Sequence, residues 1–286
     1  MTEAGYSVGI VCTLGIGAER GGRATNQDNY LVCRDGAMRW RDGDREVVHA
    51  APQRPEILIA VADGMGGHED GDIASAAAVQ AISRLYLRAA PRDPEAELRA
   101  FVLETHQRVR ERVAQNGEVK MGTTLTVAWI TGDRVYWAHV GDSRLYHWRD
   151  ARITRISRDQ TREEFAMRDK RAAPSHPRYL AQNFIFGSRG LGNDVGIRVD
   201  RGLDTGAFSL RADDRILLTS DGLHGRLDDA QIGDALANVP EPQPCAVALT
   251  ERAIAHQSDD NLTALVLRVD SLAPAGLADE NTAVPV

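Results

Sequence analysis

The sequence predicts an α+β fold built on antiparallel sheet. Residues 123–154 read as short β-rich runs joined by tight turns, the pattern of antiparallel pairing. Helical periodicity gathers in two blocks, 72–113 and 228–256, and does not alternate strand by strand as a parallel doubly wound sheet requires. Two apolar runs, 57–61 and 215–220, lead into the Asp-Gly pairs Asp63-Gly64 and Asp221-Gly222. That repeated ending organises the rest of the chain.

Taken in order, 6–14 is a first strand and 29–33 a second. Between them, 19–28 is a polar, glycine-containing loop carrying Arg23 and Asp28. Residues 36–55 are charged and contain Asp42-Gly43, so they read as a surface hairpin or insertion. The run 57–61 is a buried strand. A helix is predicted over 72–89, with Ile73, Ala76, Ala77, Ile82, Leu85 and Tyr86 as its apolar stripe and Pro91 breaking it. Asp93-Pro94 then supplies an N-cap and a proline at the first helical position. Leu98, Phe101, Val102, Thr105, Val109 and Val113 continue at helical spacing to a stop at Gly117.

Strands are predicted at 123–130 and 134–140 around a turn at 131–133, followed by a hairpin of 144–148 and 151–154. Residues 157–200 are rich in charge and irregular apart from a short helix at 162–168, and long irregular segments of compact domains are often functional. After the strand 215–220 come helices at 228–237 and 244–256, the second with Val247, Leu249 and Ile254 apolar, and a last strand at 262–268. Residues 271–286 read as a disordered Ala- and Pro-rich tail.

Composition bounds the function. A chain of 286 residues with 43% hydrophobic content can bury a large core as one domain or two small ones. Its net charge of -7 argues against a nucleic-acid partner, which wants a basic face. Cys12, Cys33 and Cys245 are odd in number and widely spaced, so neither a disulfide framework nor a zinc knuckle is expected. The first residues lack a basic region followed by an apolar run, and no stretch is long enough to span a bilayer. A cytoplasmic protein with no membrane partner is the expectation.

The chemistry lies in the carboxylates. Asp63, Asp142, Asp221 and Asp260 stand at strand ends, and Asp28 precedes a strand. A lone Asp-Gly is a common turn, but strand ends sharing one sandwich can converge on a single rim. Carboxylates clustered there repel one another unless divalent cations neutralise them. An oxygen-only ligand set, without a Cys-His pattern, points to Mn²⁺ or Mg²⁺. An arginine beside such a site is a natural bidentate clamp for phosphate.

Six stretches, in order, resemble the metal-dependent Ser/Thr protein phosphatases of type 2C in their compact bacterial form. They are Arg23-x-x-Asn26-Gln27-Asp28, Val61-Ala62-Asp63-Gly64-Met65-Gly66-Gly67-His68, Met121-Gly122-Thr123-Thr124-Leu125, His139-Val140-Gly141-Asp142-Ser143-Arg144, Thr219-Ser220-Asp221-Gly222-Leu223 and Asp259-Asp260-Asn261-Leu262-Thr263. The resemblance implies a four-layer α-β-β-α sandwich, with a catalytic domain over 1–270 and 157–200 as the flap beside the substrate entrance. It implies a binuclear centre in which Asp63 bridges two metals, the Gly64 carbonyl is an extra ligand, and Asp221 and Asp260 complete the set. Asp28 matches an acidic ligand or supporting position, Asp142 with Asp221 a weaker third-metal site, and Arg23 the phosphate-binding arginine.

The implied activity is hydrolysis of phosphoserine and phosphothreonine in phosphoproteins, substrates of a Ser/Thr kinase, by a metal-activated water and without a phosphoenzyme. A monomer is the default. Two departures stand out: Met65 occupies a position where some members carry a proton-donating histidine, leaving His68 as a weaker candidate, and Asp159-Gln160 stands where Asp-His is common. The competing readings are a phosphoprotein-binding module without turnover and a phosphatase of small molecules or phosphotyrosine. Retention of every matched aspartate disfavours the first, and the second turns on loops that the motifs do not read.

Overall fold

The structure is a computed structural model that describes residues 5–65, 71–88, 93–115, 122–161 and 202–272, with the side chains of 108–115 excepted. The strands are β1 (Gly5–Thr13), β2 (Asp28–Arg34), β3 (Ala37–Asp42), β4 (Arg45–Ala50), β5 (Ile57–Met65), β6 (Gly122–Thr123), β7 (Leu125–Thr131), β8 (Arg134–Val140), β9 (Arg144–Arg149), β10 (Arg152–Arg155), β11 (Asp204–Ser209), β12 (Arg215–Thr219) and β13 (Leu262–Ser271). The helices are α1 (Gly71–Tyr86), α2 (Pro94–Gln115), α3 (Asp221–His224), α4 (Asp229–Asn238) and α5 (Pro242–Ala255). The flap beyond residue 161, its short helix, His68, the stop at Gly117 and the tail from 273 lie outside the described residues.

Two antiparallel sheets face each other. One runs β1-β13-β12-β9-β10, and the other β11-β8-β7-β5-β2-β3-β4 with β6 paired to the end of β5. Alternation along the strands sends one set of side chains between the sheets and the other outward. Val61, Ile59, Leu145, Ile216, Leu218, Leu265 and Leu267 fill the space between the sheets. Leu58, Ala60, Val127 and Trp129 of the larger sheet pack against Val79, Ile82, Leu85, Leu98 and Phe101 of α1 and α2. Leu217, Ala264 and Val266 of the smaller sheet pack against Ile232, Leu236, Ala246 and Leu249 of α4 and α5. Three cores between four layers give the α-β-β-α sandwich that the motifs implied.

Local differences from the sequence reading have identifiable causes. The buried face of α1 is Ala74, Ser75, Ala78, Val79, Ile82, Leu85 and Tyr86, while Ile73 is 54% exposed. The small side chains at 74, 75 and 78 let the helix close on the sheet, and this outweighs burying one isoleucine. The run 123–130 is broken after Thr123 because Gly122 and Thr123 pair with Met65 and Gly64, whereas Leu125 onward belongs to β7. Residues 37–50 form a hairpin at the edge of the larger sheet. Its outer strand is largely exposed, and Met38 and Trp40 of its inner strand are buried in the core under α1. The short α3 was not foreseen, and Val247 on α5 is exposed.

Away from the site, Asp214 closes the turn into β12. Arg149 donates to both of its oxygens at 2.7 and 2.5 Å, the Arg211 amide donates at 2.8 Å, and His147 lies 3.0 Å away. Burial pushes this carboxyl up, but the Arg149 pair and its neighbours outweigh burial and bring it down to about 2. An unfolded aspartate titrates near 3.9, so this group stabilises the fold above about pH 4 and loses that contribution as the pH falls toward 2. Thermal unfolding of Asp214→Asn is expected to start from a lower midpoint and to vary less than the unsubstituted protein between pH 4 and 2.

Candidate metal centre

The two halves of the repeated strand-then-Asp-Gly pattern meet at one rim of the sandwich. Asp28 opens β2 and lies directly opposite Asp63 near the end of β5 in the antiparallel register. Asp221 follows β12 in the facing sheet and is the first residue of α3. Asp142 follows β8, and Asp260 precedes β13. The side chains of Asp28, Asp63, Asp221 and Asp260 fall within electrostatic reach of one another, and Asp142 within reach of Asp63 and Asp221.

Asp28 ties the sheets together. Its Oδ2 accepts hydrogen bonds from the Ser220 hydroxyl at 2.6 Å and the Thr263 hydroxyl at 2.7 Å, both from the opposite sheet. Its Oδ1 is buried and has no protein partner. Asp63 is fixed through its backbone: its amide donates to the Thr124 hydroxyl at 2.9 Å, and its carbonyl accepts from the Thr124 amide and the Thr123 hydroxyl, each at 2.9 Å. Two glycines allow the approach. A Cβ on Gly64 would fall 2.0 Å from the Gly71 carbonyl oxygen at the start of α1, and one on Gly222 would fall 2.0 Å from that of Asn261.

Asn261 secures the loop before β2. Its side chain accepts from the Gln27 amide at 2.8 Å and donates to the Thr25 carbonyl at 3.0 Å. At the outer rim, Arg23 grips Asp260 through two parallel bonds of 2.8 and 2.9 Å, with its side chain 56% exposed. Among the described residues no three His, Cys, Asp or Glu side chains close on a single point.

The electrostatic cost of this arrangement is visible in each group. Burial, then repulsion from Asp28 and Asp221, pushes the Asp63 carboxyl well up. Burial and Asp221 do the same to Asp142. Burial and Asp260 bring Asp221 to about 6, and burial brings Asp28 to about 7 in spite of its two hydroxyl donors. A buried acceptor without a partner and several carboxyls holding protons too tightly are what hard divalent cations relieve. The all-oxygen donor set therefore fits Mn²⁺ or Mg²⁺. Asp28, Asp63, Asp221 and Asp260, with the Gly64 carbonyl, are the groups that could hold such ions, and Asp142 stands at the flank of the cluster.

Two buried histidines near the cluster are already committed. His139 faces the Thr126 hydroxyl at 2.9 Å and the Arg158 carbonyl at 3.0 Å, and burial lowers its pKa. His224 donates to the Asp142 carbonyl at 3.1 Å, with burial lowering its pKa to about 3. Gln160, at the departure Asp159-Gln160, accepts from the Gly141 amide at 2.9 Å through its side chain and donates its own amide to the Gly141 carbonyl at 2.8 Å. Asp159 takes two bonds from Arg144 at 2.9 and 2.7 Å. Both residues thus anchor 159–160 to the turn around Asp142. Sequence reasoning missed Ser220, Thr263 and Thr124 as supports. Their signal was a hydroxyl at each apolar strand end, adjacent to a motif aspartate or facing it.

Known proteins resemble this chain in sequence and in fold. Residues 25–263 match the profile of the protein phosphatase 2C family. The serine/threonine protein phosphatase PstP of Mycobacterium tuberculosis is 33% identical over 74% of the chain. The matched region spans 40% of the length of PstP. A serine/threonine phosphatase, stp, of Listeria innocua is 29% identical over 81% of the chain and 92% of its own length. The solved catalytic domain of PstP in complex with two manganese ions superposes with a TM-score of 0.70 at 28% identity, covering 94% of this chain and 99% of that one.

The repulsion predicts an inversion of stability. In chelator at pH 7.5, Asp63→Asn is expected to raise the melting temperature by several degrees, because it removes one buried carboxylate from the cluster. In saturating Mn²⁺ the unsubstituted protein is expected to melt higher than the variant. A differential scanning measurement in both buffers checks the reversal.

Proposed function

The chain belongs to the protein phosphatase 2C family, and from that premise we propose that it hydrolyses phosphoserine and phosphothreonine in phosphoproteins, using two Mn²⁺ or Mg²⁺ ions. The observation that carries the proposal is the gathering of Asp28, Asp63 and Asp221 from both sheets at one rim, beside an Arg23–Asp260 pair that faces solvent. When bound, the two divalent ions supply an activated water as nucleophile and neutralise the charge of the phosphomonoester. Asp63, Asp221 and Asp260 with the Gly64 carbonyl would hold them, Asp28 would support the pair, and Asp142 with Asp221 would hold a third, weaker ion.

The residues of the chain divide the remaining work. The planar guanidinium of Arg23 presents the fork that a phosphate accepts, so an arriving phosphate exchanges with the Asp260 carboxylate in the same bidentate geometry. Among the described residues, the histidines nearest the cluster are turned to backbone carbonyls and Met65 has no proton to give. Direct attack by water, without a phosphoenzyme, is the reading that these committed side chains support. Water also delivers the proton to the leaving alkoxide.

The catalytic unit spans 1–270, with 36–55 as an insertion and 157–200 as the flap. The same reading places the protein as a monomer in the cytoplasm, opposing a Ser/Thr kinase. No helix among the described residues is long and apolar enough to cross a membrane.

Phosphate release from a phosphothreonine peptide tests the proposal. Turnover is expected with Mn²⁺ or Mg²⁺, is expected to vanish in excess chelator, and should fall at least about 100-fold in Asp63→Asn and Asp221→Asn. Arg23→Ala should raise KM about tenfold or more. Turnover that survives the chelator would overturn the metal assignment. A folded, Mn²⁺-binding protein without turnover would mark a phosphoprotein-binding module instead.

A further inference from the structure

The edge hairpin reaches into the centre through one side chain. Backbone pairing between β2 and β3 ends at Val32–Arg39, and beyond it the two strands are bridged by side chains. The Asn29 amide replaces the missing pairing: its Oδ1 accepts from the Arg41 amide at 3.0 Å, and its Nδ2 donates to the Arg41 carbonyl at 2.9 Å. Held in this way, Arg41 turns its guanidinium back under the loop that carries Arg23 at one end and Asp28 at the other. Its Nη1 donates to the Asp28 carbonyl at 2.8 Å and to the Asn26 carbonyl at 3.5 Å, and lies 3.8 Å from the Cys12 sulfur. Its Nη2 faces Asp44 at 3.7 Å. The Arg41 side chain is 12% exposed, although it comes from a hairpin whose turn residue Asp44 is fully exposed.

We propose that Arg41 is a positioning residue for the metal centre, acting on Asp28 through its backbone. The argument is geometric and rests on the binuclear reading above. Asp28 holds one carboxylate oxygen on Ser220 and Thr263 and leaves the other unpartnered in the cluster. The direction of that free oxygen depends on where the Asp28 backbone sits. The loop side of this backbone is fixed by the Asn26 side chain, which accepts from the Asp28 amide at 3.0 Å. On the hairpin side the carbonyl is held by Arg41. Both carbonyls are reached by Nη1 alone, at 2.8 Å for Asp28 and 3.5 Å for Asn26, so a lysine ammonium at that place could replace part of the hold. The hairpin is thereby more than a sheet edge, because its register carries Arg41 to the Asp28 carbonyl, on the side of the loop that Asn26 and Asn261 do not hold.

Residues that orient metal ligands typically change metal affinity by about 10–100-fold when removed. Calorimetric titration of Mn²⁺ into the apoprotein, without substrate, reads this directly. Arg41→Met is expected to weaken Mn²⁺ binding about tenfold or more, and Arg41→Lys to recover part of the loss. Asn29→Ala, which frees the Arg41 backbone and keeps the guanidinium, should show a smaller loss in the same direction, and it serves if Arg41→Met does not fold. At saturating Mn²⁺, kcat of each folded variant should return to within about threefold of the unsubstituted value, since Arg41 touches no reacting atom. Unchanged Mn²⁺ affinity in the variants, with only a lowered melting temperature, would reduce Arg41 to a hairpin anchor and overturn the proposal. An unsubstituted protein that binds no Mn²⁺ would overturn the binuclear reading itself.

Discussion

The structure depends on holding like charges together. Five aspartates contributed by both sheets stand at one rim, several of them buried deeply enough that burial alone raises their proton affinity. Coulomb repulsion between carboxylates in a poorly hydrated site opposes folding, so the surroundings must compensate. Two hydroxyls on Asp28 and a bidentate arginine on Asp260 offset part of the charge. On the proposed reading, divalent cations would neutralise the remainder.

The sandwich is arranged around that constraint. Antiparallel register puts Asp28 opposite Asp63, the hydroxyls of Ser220 and Thr263 bring the smaller sheet onto the same carboxylate, and Thr124 locks the Asp63 backbone from the neighbouring strand. Gly64 and Gly222 permit approaches that any side chain would block, one to the start of α1 and the other to the residue after Asp260. The three hydrophobic cores provide the stiffness that lets a strained polar cluster persist.

Much of this was legible in the residues. Turn spacing announced antiparallel pairing, and the repeated apolar-run-then-Asp-Gly pattern located Asp63 and Asp221 before their convergence was visible. Burial along α1 was read less well. In an alanine-rich helix the periodicity of large residues is a weak guide, and closeness to the sheet selected Ala74, Ser75 and Ala78 over Ile73. The supports were harder still. Ser220 and Thr263 sit inside recognisable motifs, yet a hydroxyl at a strand end carries no sign of its partner. Arg41 was invisible because its role arises only where β2 and β3 part, and nothing in the charged stretch 36–55 distinguishes it from its neighbouring arginines.

The central claim is that the carboxylate cluster is a binuclear site bridged by Asp63, and anomalous diffraction at the manganese edge from crystals grown with Mn²⁺ tests it most directly. The account predicts two strong peaks between the two sheets, bordered by Asp63, Asp221 and Asp260, and the loss of both in Asp63→Asn. A single peak outside the cluster, or two peaks unchanged in the variant, would contradict it.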